Sequence, residues 1–102
     1  MIADAFGPVK GVEAVWIFGS WAARHQGVAG PAPHDIDVVA IGMPSTLAVS
    51  RAARTAERRT HVPVNAISAE AADWDSPEPE SFLANIKAGP LVAVIEGDHA
   101  DA

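Results

Sequence analysis

Cysteine is absent from the 102-residue chain, which removes disulfide frameworks, thiolate zinc sites and cysteine nucleophiles together and fits a reducing compartment. Basic residues are scarce, seven against thirteen acidic ones, for a formal net charge of −6. A sequence-independent grip on a nucleic-acid backbone rests on Lys and Arg neutralising phosphates, so no direct nucleic-acid binding is expected. A small polyanionic ligand would instead need a bridging cation, because bare carboxylates repel it. No run of about 18 apolar residues occurs, and the N-terminus lacks the basic segment and apolar stretch of a secretory signal. No membrane association is expected, and the cytoplasm is the expected location.

What is present is a hydrophobic content of 49% in a length that supports one compact core and not two. We expect one domain over 1–96 and a flexible tail over 97–102, where residues are small and polar. The run 12–18, Val-Glu-Ala-Val-Trp-Ile-Phe, is apolar, β-branched and aromatic, and glycine bounds it on both sides, which predicts a buried strand. Before it, 1–9 predicts a short helical turn ended by Gly7-Pro8. Ser20 is the candidate N-cap of a helix over 21–25. A loop over 27–33, rich in glycine and proline, leads to a second strand over 35–41.

Ser45 is placed to cap the next helix, on which Val49, Ala52, Ala53 and Ala56 follow the spacing of one buried face. A third strand is predicted over 62–67, with Pro63 pointing to an edge or a strand start. Ser68 is expected to start a helical turn, 72–79 to form an acidic loop, and 80–88 a helix closed by Gly89-Pro90. A last strand is predicted over 91–95. The fold class expected is α/β: a small mixed sheet of about four strands, helices packed on one face and the site at one sheet end.

Two features carry chemistry. A tight turn at Gly19-Ser20, between a strand and a helix, presents backbone N–H groups and a hydroxyl to an anion such as phosphate, although an ordinary capped turn has the same composition. Asp35 and Asp37 alternate along a strand, so both carboxylates share a face with Ile36 buried behind them. Like charges so placed repel unless a cation sits between them, and hard oxygen ligands suit Mg²⁺ or Mn²⁺. The bland alternative, two solvated carboxylates at a strand entrance, leaves their position beside an apolar strand unexplained. A phosphate cradle and a divalent-cation site together are the two halves of nucleotidyl transfer.

The string Gly19-Ser20-Trp21-Ala22-Ala23-Arg24, followed by Asp35-Ile36-Asp37-Val38-Val39, resembles the signature of the minimal nucleotidyltransferases of the DNA polymerase β superfamily. The resemblance runs on through Val62-Pro63-Val64-Asn65 to Pro90-Leu91-Val92 and is greatest to the bacterial branch often fused to a winged-helix regulator. It implies that Gly19 and Ser20 bind the phosphates of a nucleoside triphosphate and that Asp35 and Asp37 ligate the metal. Arg24, one helical turn after the serine, would steady a phosphate or an aspartate, and a surface salt bridge accounts for it equally well. It further implies a hydroxyl acceptor, on a partner protein in those members that are antitoxins modifying a toxin.

Two departures from the pattern stand out. The loop between the turn and the aspartates is longer than in the shortest members, and Asn65 stands where many active relatives carry a third catalytic carboxylate. An amide oxygen can ligate a cation, but it has no useful basicity and no charge. The rival expectation is therefore a catalytically impaired nucleotide-binding antitoxin or regulatory module; Asn65 as a mere chain-turning residue is a further alternative. A ligand-sensing half of a DNA-binding regulator also fits the length, without a basic recognition helix to support it.

Lesser signals read more plainly. Arg51, Arg54 and Arg58 make one side of their helix basic, with Arg59 next to them in the chain, as a solvated face would, or to meet an acidic partner. The four histidines have no metal-like spacing, and His34 falls in the loop beside the site. Trp16 reads as core, and Trp21 as either core or a surface on which a base stacks. The acidic group Glu70, Asp73, Asp75, Glu78 and Glu80 decorates helix starts and a loop, and a substitute third carboxylate among them stays open. Apolar surface on so small a domain is compatible with a homodimer or a heteromeric partner.

Overall fold

The computed structural model describes residues 2–96, so the tail expected over 97–102 lies outside the described residues. The elements run α1 (Ile2–Phe6), β1 (Val12–Phe18), α2 (Gly19–His25), β2 (Ile36–Gly42), α3 (Thr46–Thr60), β3 (Val64–Ala69), α4 (Ala71–Asp75), α5 (Phe82–Ala88) and β4 (Leu91–Ile95). The strands form one sheet in the order β3-β2-β1-β4. β1 is antiparallel to β2 and to β4, whereas β2 and β3 are parallel. A parallel pair cannot be joined by a tight turn, and α3 supplies the crossover.

The two central strands, β1 and β2, are apolar on both sides along most of their length because both sides are covered there; Glu13 and Asp37 are the charged exceptions. On one face Val15, Ile17, Ile36, Val38, Ala40 and Val64 pack with Phe6 of α1, Ala22 of α2, and Val49, Ala52, Ala53 and Ala56 of α3. The buried stripe of α3 is the one its helical spacing predicts. Ser45 caps this helix, its hydroxyl accepting from Ala48 N–H at 3.1 Å. The basic residues Arg51, Arg54, Arg58 and Arg59 are all exposed.

Three helices on one face match the expected layering, and the opposite face has a smaller cover of its own. There Ala14, Val39 and Ile41 meet Trp74 of α4 and Ile86 of α5. Trp74 comes from the stretch read as an acidic loop. Residues 72–75 of it belong instead to the five-residue helix α4, which turns one large aromatic inward, to 7% exposure, while Asp73 and Asp75 face solvent; 76–79 are non-helical, as expected. Burying one indole outweighs the weak helical preference of so short a stretch.

Three local expectations are corrected. Helix α2 begins at Gly19 with Phe18 as its N-cap and no side-chain cap, so Ser20 lies in the first turn and is not the cap. Ser68 belongs to β3, pairing with Ala40 of β2, and does not start a helix. β3 starts at Val64, two residues later than predicted: Pro63 has no N–H for a ladder, and its carbonyl accepts from Ile36 N–H at 2.9 Å just before the strand. The edge position read from Pro63 holds, since β3 is an outer strand.

Candidate active site

The site grows from strand register. Phe18 pairs with Asp37, and Asp37 with Asn65, so one row across the sheet reads Phe18, Asp37, Asn65. Side chains alternate along a strand, which puts this row on the same face as Val39 and Ile41 and turns Ile36 and Val38 into the opposite core. Asp35, just before β2, returns to the Asp37 side. The Asn65 amide nitrogen donates to Asp35 Oδ2 at 2.9 Å and to Asp37 Oδ1 at 3.3 Å. The two carboxylates thus converge on one point, which a donor group holds. Both aspartates are half-buried and Asn65 is exposed at the sheet edge.

The Gly19-Ser20 turn abuts this point. Gly19 adopts φ +75°, and a Cβ there would stand 2.9 Å from Asp37 Oδ2. Only glycine permits both that backbone conformation and so close an approach of the carboxylate. Ser20 is exposed and lines a cleft of about 260 Å³ with Pro31, Ala32, Pro33, His34 and Asp35. The long loop thereby builds one wall of the site, and His34 lies in it as expected. Gly19, Ser20, Asp35, Asp37 and Asn65, distant in the chain, are brought together.

Arg24 is placed differently. Its guanidinium donates to the Val28 carbonyl at 2.6 Å and packs so closely on Gly30 that a Cβ at that glycine would collide with it. The arginine braces the loop that walls the cleft. Trp21 stacks on His25, with ring centroids 5.0 Å apart and planes 12° from parallel, and packs against the larger core. Trp16 packs against Trp74, ring centroids 6.2 Å apart. Phe82 is the feature that sequence reasoning missed: 62% exposed, it stands edge-on to Phe18, the row neighbour of Asp37. Helical spacing gave no signal for it, because Phe82 and the buried Ile86 lie one turn apart on the same side of α5.

Among the described residues no group of three or more His, Cys, Asp or Glu comes together to hold a metal. The oxygen donors that converge are the two carboxylates, toward which Asn65 turns its amide nitrogen. Their convergence on one point and their hard-oxygen chemistry fit Mg²⁺ or Mn²⁺ better than a softer ion. The acidic group Glu70, Asp73, Asp75, Glu78 and Glu80 adds no third carboxylate to the pair. No helix of the described residues is long and apolar enough to cross a membrane.

No family model and no characterised protein matches the sequence. Solved structures do match in shape. A toxin-antitoxin structure with AMP-PNP superposes with a TM-score of 0.64 at 14% identity, over 98% of this chain and 74% of the other. A mutant of the toxin-antitoxin pair MntA-HpeT gives 0.66 at 12% identity, over 98% and 74%. A tri-AMPylated HEPN toxin from Shewanella oneidensis in complex with MNT antitoxin gives 0.54 at 11% identity, over 99% and 77%. At such identities the likeness establishes the fold alone: an α/β domain on a four-stranded mixed sheet, shared with these toxin-antitoxin structures.

Proposed function

We propose that this domain binds a nucleoside triphosphate with Mg²⁺ or Mn²⁺ and transfers its nucleoside monophosphate to a hydroxyl on a partner protein. The observation that carries this reading is the meeting of the Gly19-Ser20 turn with Asp35, Asp37 and Asn65 at one sheet edge. The neighbours support it from outside: one holds AMP-PNP, and another is a toxin carrying AMP groups in complex with its antitoxin. A third is a mutant with two aspartates replaced by glutamate at the one-residue separation that Asp35 and Asp37 have here.

In this mechanism Gly19 and Ser20 orient the triphosphate through backbone N–H groups and the serine hydroxyl. Asp35 and Asp37 would hold the cation, and its chemistry there would be to neutralise charge on the phosphates and polarise them toward attack. The acceptor oxygen forms a bond to the α-phosphorus as the bond to pyrophosphate breaks. The hydroxyl proton passes to water, since the Asn65 amide cannot take it. A positioned general base contributes about 10²–10⁴-fold in rate, so transfer is expected to be slow. Arg24 acts on the phosphates only through the loop it braces.

A second reading keeps the nucleotide and the partner and drops the chemistry: a nucleotide-binding antitoxin or regulatory module. Asn65 favours it, being an amide tied to both carboxylates. Incubation with labelled nucleoside triphosphate, Mg²⁺ and a candidate partner toxin separates the two. Label on the partner that disappears with Asp37→Ala supports transfer. Tight nucleotide binding without label transfer, unchanged in Asn65→Asp, overturns the enzyme and leaves the binder.

A further inference from the structure

We propose that Asn65 is a built-in stand-in for the cation: its amide holds Asp35 and Asp37 in their convergent geometry while no metal is bound, and a divalent ion enters only by displacing it. The inference rests on the reading of Asp35 and Asp37 as cation ligands and concerns what competes for that position. Ionised carboxylates only accept hydrogen bonds, and an amide offers two N–H donors at one end and an acceptor at the other. Facing two carboxylates, the side chain can present only its NH₂ end, as found at 2.9 Å from Asp35 Oδ2 and 3.3 Å from Asp37 Oδ1. Donors to ionised oxygens form the stronger class of hydrogen bond, and this pair offsets the repulsion that two adjacent carboxylates otherwise suffer.

The same contacts obstruct a metal. Mg²⁺ takes oxygen ligands at about 2.0–2.1 Å, so an ion drawing on both carboxylates occupies the space where the amide hydrogens now sit. The Asn65 oxygen could ligate that ion only after the amide turns over, which breaks both hydrogen bonds first. Displacement leaves the fold intact, because Asn65 is exposed on the outer strand and its backbone stays held in the parallel ladder opposite Asp37. An acid at this position reverses both effects: three carboxylates repel one another without a cation and bind it more tightly with one.

The test is calorimetric titration of Mn²⁺ alone, without nucleotide, into the wild type, Asn65→Ala and Asn65→Asp, with thermal unfolding of each in the absence of divalent ions. Asn65→Ala is expected to unfold at a lower temperature and to bind Mn²⁺ up to about tenfold more tightly, as relief of a competing charged hydrogen-bond pair requires. Asn65→Asp is expected to be the least stable without the ion and the tightest binder of it. Weaker or unchanged Mn²⁺ binding by Asn65→Ala makes Asn65 a ligand or a bystander and overturns the proposal while the aspartate site stands. No Mn²⁺ uptake by any of the three removes the aspartate reading as well. If Asn65→Ala fails to fold, the side-chain NH₂ resonances of wild-type Asn65 decide: a large shift on saturation with Mg²⁺ supports displacement, and unchanged resonances overturn it.

Discussion

The two faces of the sheet are covered unequally, and the site lies where the lighter cover ends. One face carries the fifteen-residue α3 together with α1 and α2, and every strand residue it covers is apolar. The other carries only α4 and α5, of five and seven residues, anchored by Trp74 and Ile86. Two short helices cover the middle of the sheet and leave its end open, and there Asp37 and Asn65 take the places along β2 and β3 that Val39 and Ile67 occupy one row further on. A charged row is tolerated only where water or a ligand can reach it. The heavy face therefore supports stability and the light face leaves room for chemistry.

That division can be broken from either side. The largest effect is expected at the open end: on the proposed reading, Asp37→Ala should reduce nucleotide-dependent transfer at least ~100-fold by removing one of the two carboxylates assigned to the cation, with the thermal midpoint little changed, as labelled-nucleotide assays and calorimetry would show. On the heavy face Phe6, fully buried, should cost about 3–5 kcal/mol as Phe6→Ala, read by urea denaturation. A comparable cost for a substitution at exposed Phe82 would contradict the division. At the seam, Gly19→Ala forces an unfavourable backbone conformation and a Cβ against Asp37. It should cost about 1–3 kcal/mol and weaken nucleotide binding as well, a double effect that neither face alone produces. Smallest, Ser45→Ala removes the α3 cap for about 1 kcal/mol and should leave nucleotide affinity unchanged in a binding titration.

Much of the candidate site's geometry was legible because its parts are strand-periodic. Alternation alone put Asp35 and Asp37 on one side of β2 and Ile36 on the other, and glycine before serine at the end of an apolar strand marked the turn. The destination of Arg24 was not legible, since one helical turn after the serine is compatible with a phosphate contact and with the loop brace observed through Val28 and Gly30. Trp74 was hidden by its neighbours: acids and prolines around it read as loop, and the inward turn of a single indole has no period to detect.

The chain by itself determined its strands, the buried stripe of α3 and the pairing of the two aspartates, because each follows from a repeat of two or of 3.6 residues within one segment. Which segments meet was decided by the tertiary structure alone. The register that sets Asn65 opposite Asp37, the approach of Gly19 to the same carboxylate and the Phe82 edge against Phe18 join residues from separate elements, and their positions are fixed by strand pairing and core packing across the whole sheet, which no local pattern encodes.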